Sequence, residues 1–176
     1  MYATTKKQNG STIVEFNRVI PHPISSVWQM LTVNEQLQPG GKIKFDFGNG
    51  IYERMTILKV SEPTSFAFSW DKNTMRFELS ETADGQTSLK LSEDIIEVTA
   101  HTPRDIAGWH ACLDRIAVIL DGLSVKPGPA ENWDDLYQYY KIAFETFLIS
   151  RKRNRLIGSP QTVPISRFFT FFINAF

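Results

Sequence analysis

Apolar residues recur along this chain at two different periods, and each change of period marks a new element. From Ser11 to Val19, STIVEFNRV mixes β-branched and aromatic residues with polar ones and predicts a first strand. Pro21 and Pro23 stop it, and Pro23 suits the first turn of a helix, where its missing N–H is harmless. Ile24, Val27, Trp28 and Leu31 then recur at helical spacing, which predicts a short helix ending near Thr32. After the turn QPGG at 38–41 the period falls to two. Ile43, Phe45 and Phe47 alternate with Lys42, Lys44 and Asp46, a strand with one apolar face. Gly48-Asn49-Gly50 predicts a hairpin into a strand over Ile51–Val60. Phe66, Phe68 and Trp70 share one face of the next strand, and Met75, Phe77 and Leu79 one face of the strand after it. Ala83-Asp84-Gly85 turns the chain into Thr87–Glu93, where Leu89 and Leu91 face together. The pattern predicts an antiparallel meander that is apolar on one side.

A long helix follows. Thr102 is placed to cap it, Pro103 to occupy its first position and Asp105 to complete a capping box. Ile106, Trp109, Leu113, Ile116, Ala117 and Leu120 form one stripe, and Gly122 suits the C-cap. The expected class is α+β, a curved antiparallel sheet wrapped around a long C-terminal helix. Residues 1–10 are expected to be a flexible N-terminus and 11–124 the main domain. KPGPAEN at 126–132 is a short linker, and 125–158 carries an appended amphipathic helix. Asn132 can cap that helix, and its stripe is Trp133, Leu136, Tyr137, Tyr140, Phe144, Phe147 and Leu148. An aromatic tail at 159–176 gathers Ile165, Phe168, Phe169, Phe172, Ile173 and Phe176 on one helical face, suited to docking or to acting as a lid.

Composition narrows the classes. A chain of 176 residues with 12% aromatics can bury a real core, so general disorder is excluded. One cysteine rules out an internal disulfide framework and fits a reducing, cytoplasmic setting. The first 20 residues lack a secretory signal pattern, and no run of 18 apolar residues is present to span a membrane. Charge is zero overall but unevenly spread. Residues 1–150 carry 14 basic against 19 acidic residues, or −5, and residues 151–176 carry Arg151, Lys152, Arg153, Arg155 and Arg167 with no acid, or +5. That basic stretch alone does not make a nucleic-acid binder, because the body is acidic and has no nucleic-acid fold signature. Cations near a helix C-terminus account for it more simply. Self-association, a protein partner or interfacial membrane contact through the tail stay open.

GWHACLDRI, residues 108–116, sets His110, Cys112 and Asp114 within five positions. At about 100° per residue, His110 and Cys112 lie about 200° apart around a helix and cannot form a dyad. Cys112 reads as structural. His110 and Asp114 are i,i+4 and can interact, with His110 at the margin of the apolar stripe. No ligand spacing for a metal and no phosphate cradle is visible, so neither a metal nor a cofactor is expected. The stronger signal is aromatic. Trp28, Phe45, Phe47, Phe68, Trp70, Phe77 and Trp109, with His110 and Leu113, are expected to line the space between sheet and helix. Such a space is either a filled core or an apolar ligand cavity.

VIPHPISSVWQMLT, PGGKIKFDFGNG and AGWHACLDRIAVILDG together resemble the activator of heat-shock protein 90 ATPase homologue-like family of the START-like (SRPBCC) superfamily. The resemblance covers about residues 11–122 and continues through WDDLYQYY. It implies a helix-grip (START/Bet v-like) fold whose long helix closes a hydrophobic cavity. It brings no universal catalytic residues. The expected function is non-catalytic binding of a hydrophobic, aromatic or lipid-like small molecule. Two alternatives remain: a chaperone-cofactor-like interaction module, and a cyclase- or hydrolase-type enzyme using His110 with Asp114.

Overall fold

The period-two stretches fold as strands of one sheet in a computed structural model that describes residues 1–32, 37–46, 52–125 and 130–152. β2 (Ser11–Ile20) is followed by α1 (Ile24–Thr32). A meander of β3 (Lys42–Asp46), β4 (Tyr52–Ser61), β5 (Ser65–Trp70), β6 (Asn73–Glu81) and β7 (Thr87–Ile95) comes next. β7 then pairs back onto β2, with Thr12 opposite Ile95 and Ile20 opposite Thr87. A register shift between Ile57 and Lys59 interrupts the β4–β5 ladder, a bulge of the kind that bends a sheet.

One strand departs from the sequence reading. Residues 1–10 are expected to be flexible, yet β1 (Thr4–Gln8) pairs antiparallel with β2 and gives the sheet order β1-β2-β7-β6-β5-β4-β3. All five residues of TTKKQ are exposed, so no apolar alternation announces the strand. The turn announces it instead. Asn9 and Gly10 both take positive φ, 47° and 89°, as a two-residue hairpin turn with the native twist requires.

α2 (Thr102–Leu120) lies on the apolar face of the sheet and buries Ile106, Ala107, Trp109, Leu113 and Ile116. Its start also differs from expectation. His101 occupies the cap position without a side-chain capping bond, and Thr102 already lies inside the helix. The Thr102 hydroxyl accepts the Thr99 N–H at 3.0 Å, so it is not available to cap α2. Asp105 is thereby released from the capping box. At the other end Gly122, with φ 72°, closes the helix as expected. Its N–H meets the Ile119 carbonyl and the Leu123 N–H meets the Val118 carbonyl, the paired bonds of a Schellman motif.

α3 (Trp133–Lys152) runs against α2. Leu136, Tyr140 and Phe144 are buried in the same core cluster as the sheet and α2. This segment, expected as an appendage, therefore shares the core, because its aromatic stripe has nowhere else to be covered. No helix among the described residues is long and apolar enough to cross a membrane. The aromatic tail at 159–176 and Phe47 lie outside the described residues.

Candidate functional site

The aromatic faces meet as the alternation requires. Phe45 from β3 lies 5.6 Å from Phe68 and 5.2 Å from Trp70, both on β5. Trp109 of α2 closes over them, 5.2 Å from Trp70 and 6.4 Å from Phe77. Trp28 of α1 joins through Phe66, which stacks on Phe77 at 5.0 Å. Leu113 belongs to the same buried cluster. Trp28, Phe45, Phe68, Trp70, Phe77, Trp109 and Leu113 are at most 8% exposed, so these rings fill one another's space.

His110 belongs elsewhere. It is buried, but its ring packs edge-on against Tyr2, Phe16 and Tyr140 at the junction of α2, α3 and β2. Its Nδ1 lies 2.8 Å from the Tyr140 hydroxyl and its Nε2 3.1 Å from Asp114 Oδ2. The Tyr140 hydroxyl accepts the Ala3 N–H at 2.9 Å, and its own O–H is then free to donate to His110 Nδ1. Nε2–H consequently points at Asp114, whose other oxygen accepts the Arg18 Nε–H at 2.8 Å. Burial pushes the Tyr140 phenol above its ordinary range, which keeps that proton in place. Desolvation also raises Asp114, but hydrogen bonds and charge from His110 and Arg18 outweigh it and hold the carboxyl low. Both ring nitrogens of His110 are therefore committed to the fold. The i,i+4 pairing was legible in the sequence, whereas Tyr140, 30 residues downstream, was not.

Cys112 is half-buried, and desolvation raises its thiol to about 12, too high for a nucleophile near neutral pH. Among the described residues no group of three or more His, Cys, Asp or Glu stands together to hold a metal.

The sequence reading missed the most unusual side chain of the interior. On β7 the inward positions are Thr87, Leu89, Leu91, Glu93 and Ile95. Glu93 stands opposite Val14 of β2 on one side and Met75 of β6 on the other, and Met75 stands opposite Phe68. A carboxylate thus occupies the middle of an apolar row and is only 2% exposed. Asn73 Nδ2 donates to its Oε1 at 2.7 Å, while Oε2 accepts no hydrogen bond among the described residues. Desolvation raises this carboxyl to about 7, against the pull of the Asn73 bond. Asp105, released from capping, faces the same region from the first turn of α2. Burial first, and then the neighbouring Glu93, raises it to about 8 in spite of the Arg104 charge, with Asp71 adding to the rise. Two acids that titrate near neutral pH can exchange a proton or receive a cation. The signal for Glu93 was present, since it lies in phase with Leu89 and Leu91.

Comparison with known proteins agrees with this architecture. Residues 21–121, more than half of the chain, match the family model for activator of Hsp90 ATPase homolog 1-like protein. A comparison with curated proteins finds no match. Among solved structures, a conserved protein of unknown function, EF2215 from Enterococcus faecalis, is similar with a TM-score of 0.66 at 21% identity, over 88% of this chain and 92% of that one. CalU16 from Micromonospora echinospora is similar with a TM-score of 0.59 at 16% identity, over 85% and 94%. The Aha1 dimer from Colwellia psychrerythraea is similar with a TM-score of 0.53 at 18% identity, over 61% and 95%. At these identities the likeness concerns the fold. With the family match spanning α1 through α2, and with the sheet and long helix arranged as the motifs imply, the chain belongs to the activator of Hsp90 ATPase homolog 1-like family.

Proposed function

We propose that the chain binds a hydrophobic small molecule, aromatic or lipid-like, between the sheet and α2, without catalysing a reaction on it. The observation that carries this reading is Glu93 in the apolar row. A core that serves stability alone is better filled by apolar side chains, because an unpaired buried charge costs several kcal/mol. Two raised carboxyls on the elements that carry the aromatic rings, Glu93 on the sheet and Asp105 on α2, are the pattern of an apolar site with few polar groups that orient a ligand. In the closed arrangement the rings occupy the space themselves, so binding exchanges ring–ring contacts for ligand–ring contacts. His110, with both nitrogens engaged, argues against the enzyme alternative built on it.

The test is a titration of hydrophobic compounds followed by Trp fluorescence and thermal shift. Trp28, Trp70 and Trp109 all sit in the cluster and report on it. A ligand present at a hundredfold its Kd should add about 2.7 kcal/mol, or about 5–10 °C in Tm. Absence of any saturable response across the set refutes the reading.

A second reading, a protein-interaction module, is favoured by the outer face of α3. Tyr139 stacks on Tyr2 at 3.7 Å, and Ile142 and Ile149 are each 66% exposed. Replacing Ile142 by Lys should abolish retention of a protein partner or self-association if that face serves one, and leave small-molecule titrations unchanged.

A further inference from the structure

We propose that Glu93 and Asp105 form the polar anchor of the ligand site and select a hydrophobic amine, its ammonium group between the two carboxylates and its apolar body among Trp70, Trp109 and Phe68. The proposal rests on the ligand-binding reading and adds the chemistry of the ligand's polar end.

The two acids approach from opposite layers, Glu93 from the floor of the sheet and Asp105 from the first turn of α2. Glu93 Oε1 is already satisfied by Asn73, whose Oδ1 in turn accepts the Ile96 N–H at 3.2 Å. That bond fixes the carboxylate, and its buried Oε2 takes no hydrogen bond among the described residues. The groups around the pair come from several elements. β2 offers Val14 and β6 offers Met75, both uncharged. The turn between β5 and β6 adds Asp71, a further negative charge acting on Asp105. Arg104 supplies the opposing charge on Asp105, and its guanidinium also lies over the Tyr137 ring of α3 at 5.3 Å.

Glu93 raises Asp105, so the two carboxyls do not both ionise readily and keep a proton near neutral pH. An ammonium group replaces that proton. It brings a positive charge for the pair and three N–H donors, including one for Glu93 Oε2. An alcohol of the same skeleton satisfies one oxygen without compensating charge, and a carboxylate ligand adds a further negative charge to the site.

The full chain is titrated with decyl, naphthylmethyl and indolylethyl skeletons, each as amine, alcohol and carboxylate, by Trp fluorescence at pH 7.5 and by calorimetry in two buffers of different ionisation enthalpy. For at least one skeleton the amine should bind about tenfold or more tightly than the alcohol, the carboxylate should bind most weakly, and amine binding should release a proton. Glu93→Gln, and independently Asp105→Asn, should bring the amine's affinity down to that of the alcohol in the same variant. Equal affinity of amine and alcohol in the unaltered protein, or an advantage that survives both substitutions, overturns the amine anchor and leaves small-molecule binding standing. No saturable binding by any member of the panel removes both.

Discussion

Glu93→Gln should change stability in opposite directions in acid and in alkali. In the fold the carboxyl titrates at about 7 against an ordinary 4.5, a rise worth about 3 kcal/mol. Between those two values the folded chain keeps a proton that the unfolded chain has released. The stability that goes with the protonated group is therefore complete below about 4.5, declines as pH rises, and is gone above about 7. Glutamine stays neutral throughout and keeps the acceptor for Asn73. Its amide N–H₂ replaces an oxygen that has no hydrogen-bond partner among the described residues, a loss of about 1 kcal/mol at every pH. The variant should accordingly be about 1 kcal/mol less stable than the unaltered protein at pH 4.5 and about 2 kcal/mol more stable at pH 8. Relief of Asp105, which Glu93 helps to raise, makes the remaining pH slope shallower still. Urea unfolding followed by Trp fluorescence at pH 4.5, 6, 7 and 8 measures the difference. A swing smaller than about 1 kcal/mol across that range means that Glu93 ionises as a solvated carboxylate does, and the argument from its buried position fails.

Tyr140→Phe keeps the buried ring but loses the bonds to the Ala3 N–H and His110 Nδ1, so it should cost about 2–3 kcal/mol. Faster hydrogen exchange at Ala3 should accompany the loss, and unchanged stability would show that the network fastens nothing. Cys112 in the folded protein should react with an aromatic disulfide reagent at pH 8 roughly a thousandfold more slowly than an ordinary cysteine, since its thiol is raised to about 12. Rapid labelling without denaturant contradicts the burial assigned to it. Gly10→Ala meets no atom within 4 Å of an added Cβ, yet should cost about 1 kcal/mol because φ is 89°. The amides of β1 should then exchange faster, and an unaltered hairpin would mean that the turn is held by something other than its backbone.

What was legible in the sequence follows from how locally each feature is determined. Phe45, Phe66, Phe68, Met75 and Phe77 are spaced by the strand period, and one buried face suffices to write that spacing into the chain. The stripe of α2 and its Gly122 terminus are equally local. β1 shows the opposite case: it buries no side chain and is held by ladder bonds and a turn, so hydrophobicity is silent about it. Asp105 satisfies the spacing of a capping box, but the cap depends on where Thr102 sits relative to the first turn, and that is set by the chain entering from Thr99. His110 was placed at the edge of the stripe from its angle on the helix. Its burial depends on α3, which arrives from the far side of a linker. Glu93 was in phase with Leu89 and Leu91 but read as a strand end, because nothing near it in sequence tells that α2 will cover it.

The hydrogen bond from Ala3 to Tyr140 joins residues 137 positions apart, which sets an order of events during synthesis. β1 and β2 can pair as soon as both leave the ribosome, since only the Asn9-Gly10 turn separates them. The face of that hairpin carrying Phe16 has no Tyr140 to meet until α3 emerges. At about 5–20 residues per second that interval is on the order of 10 s, long compared with the microseconds a hairpin takes to form. For that time the growing chain displays an aromatic surface near its N-terminus that the finished domain hides. Among the described residues, the junction of β2, α2 and α3 is therefore the last to close.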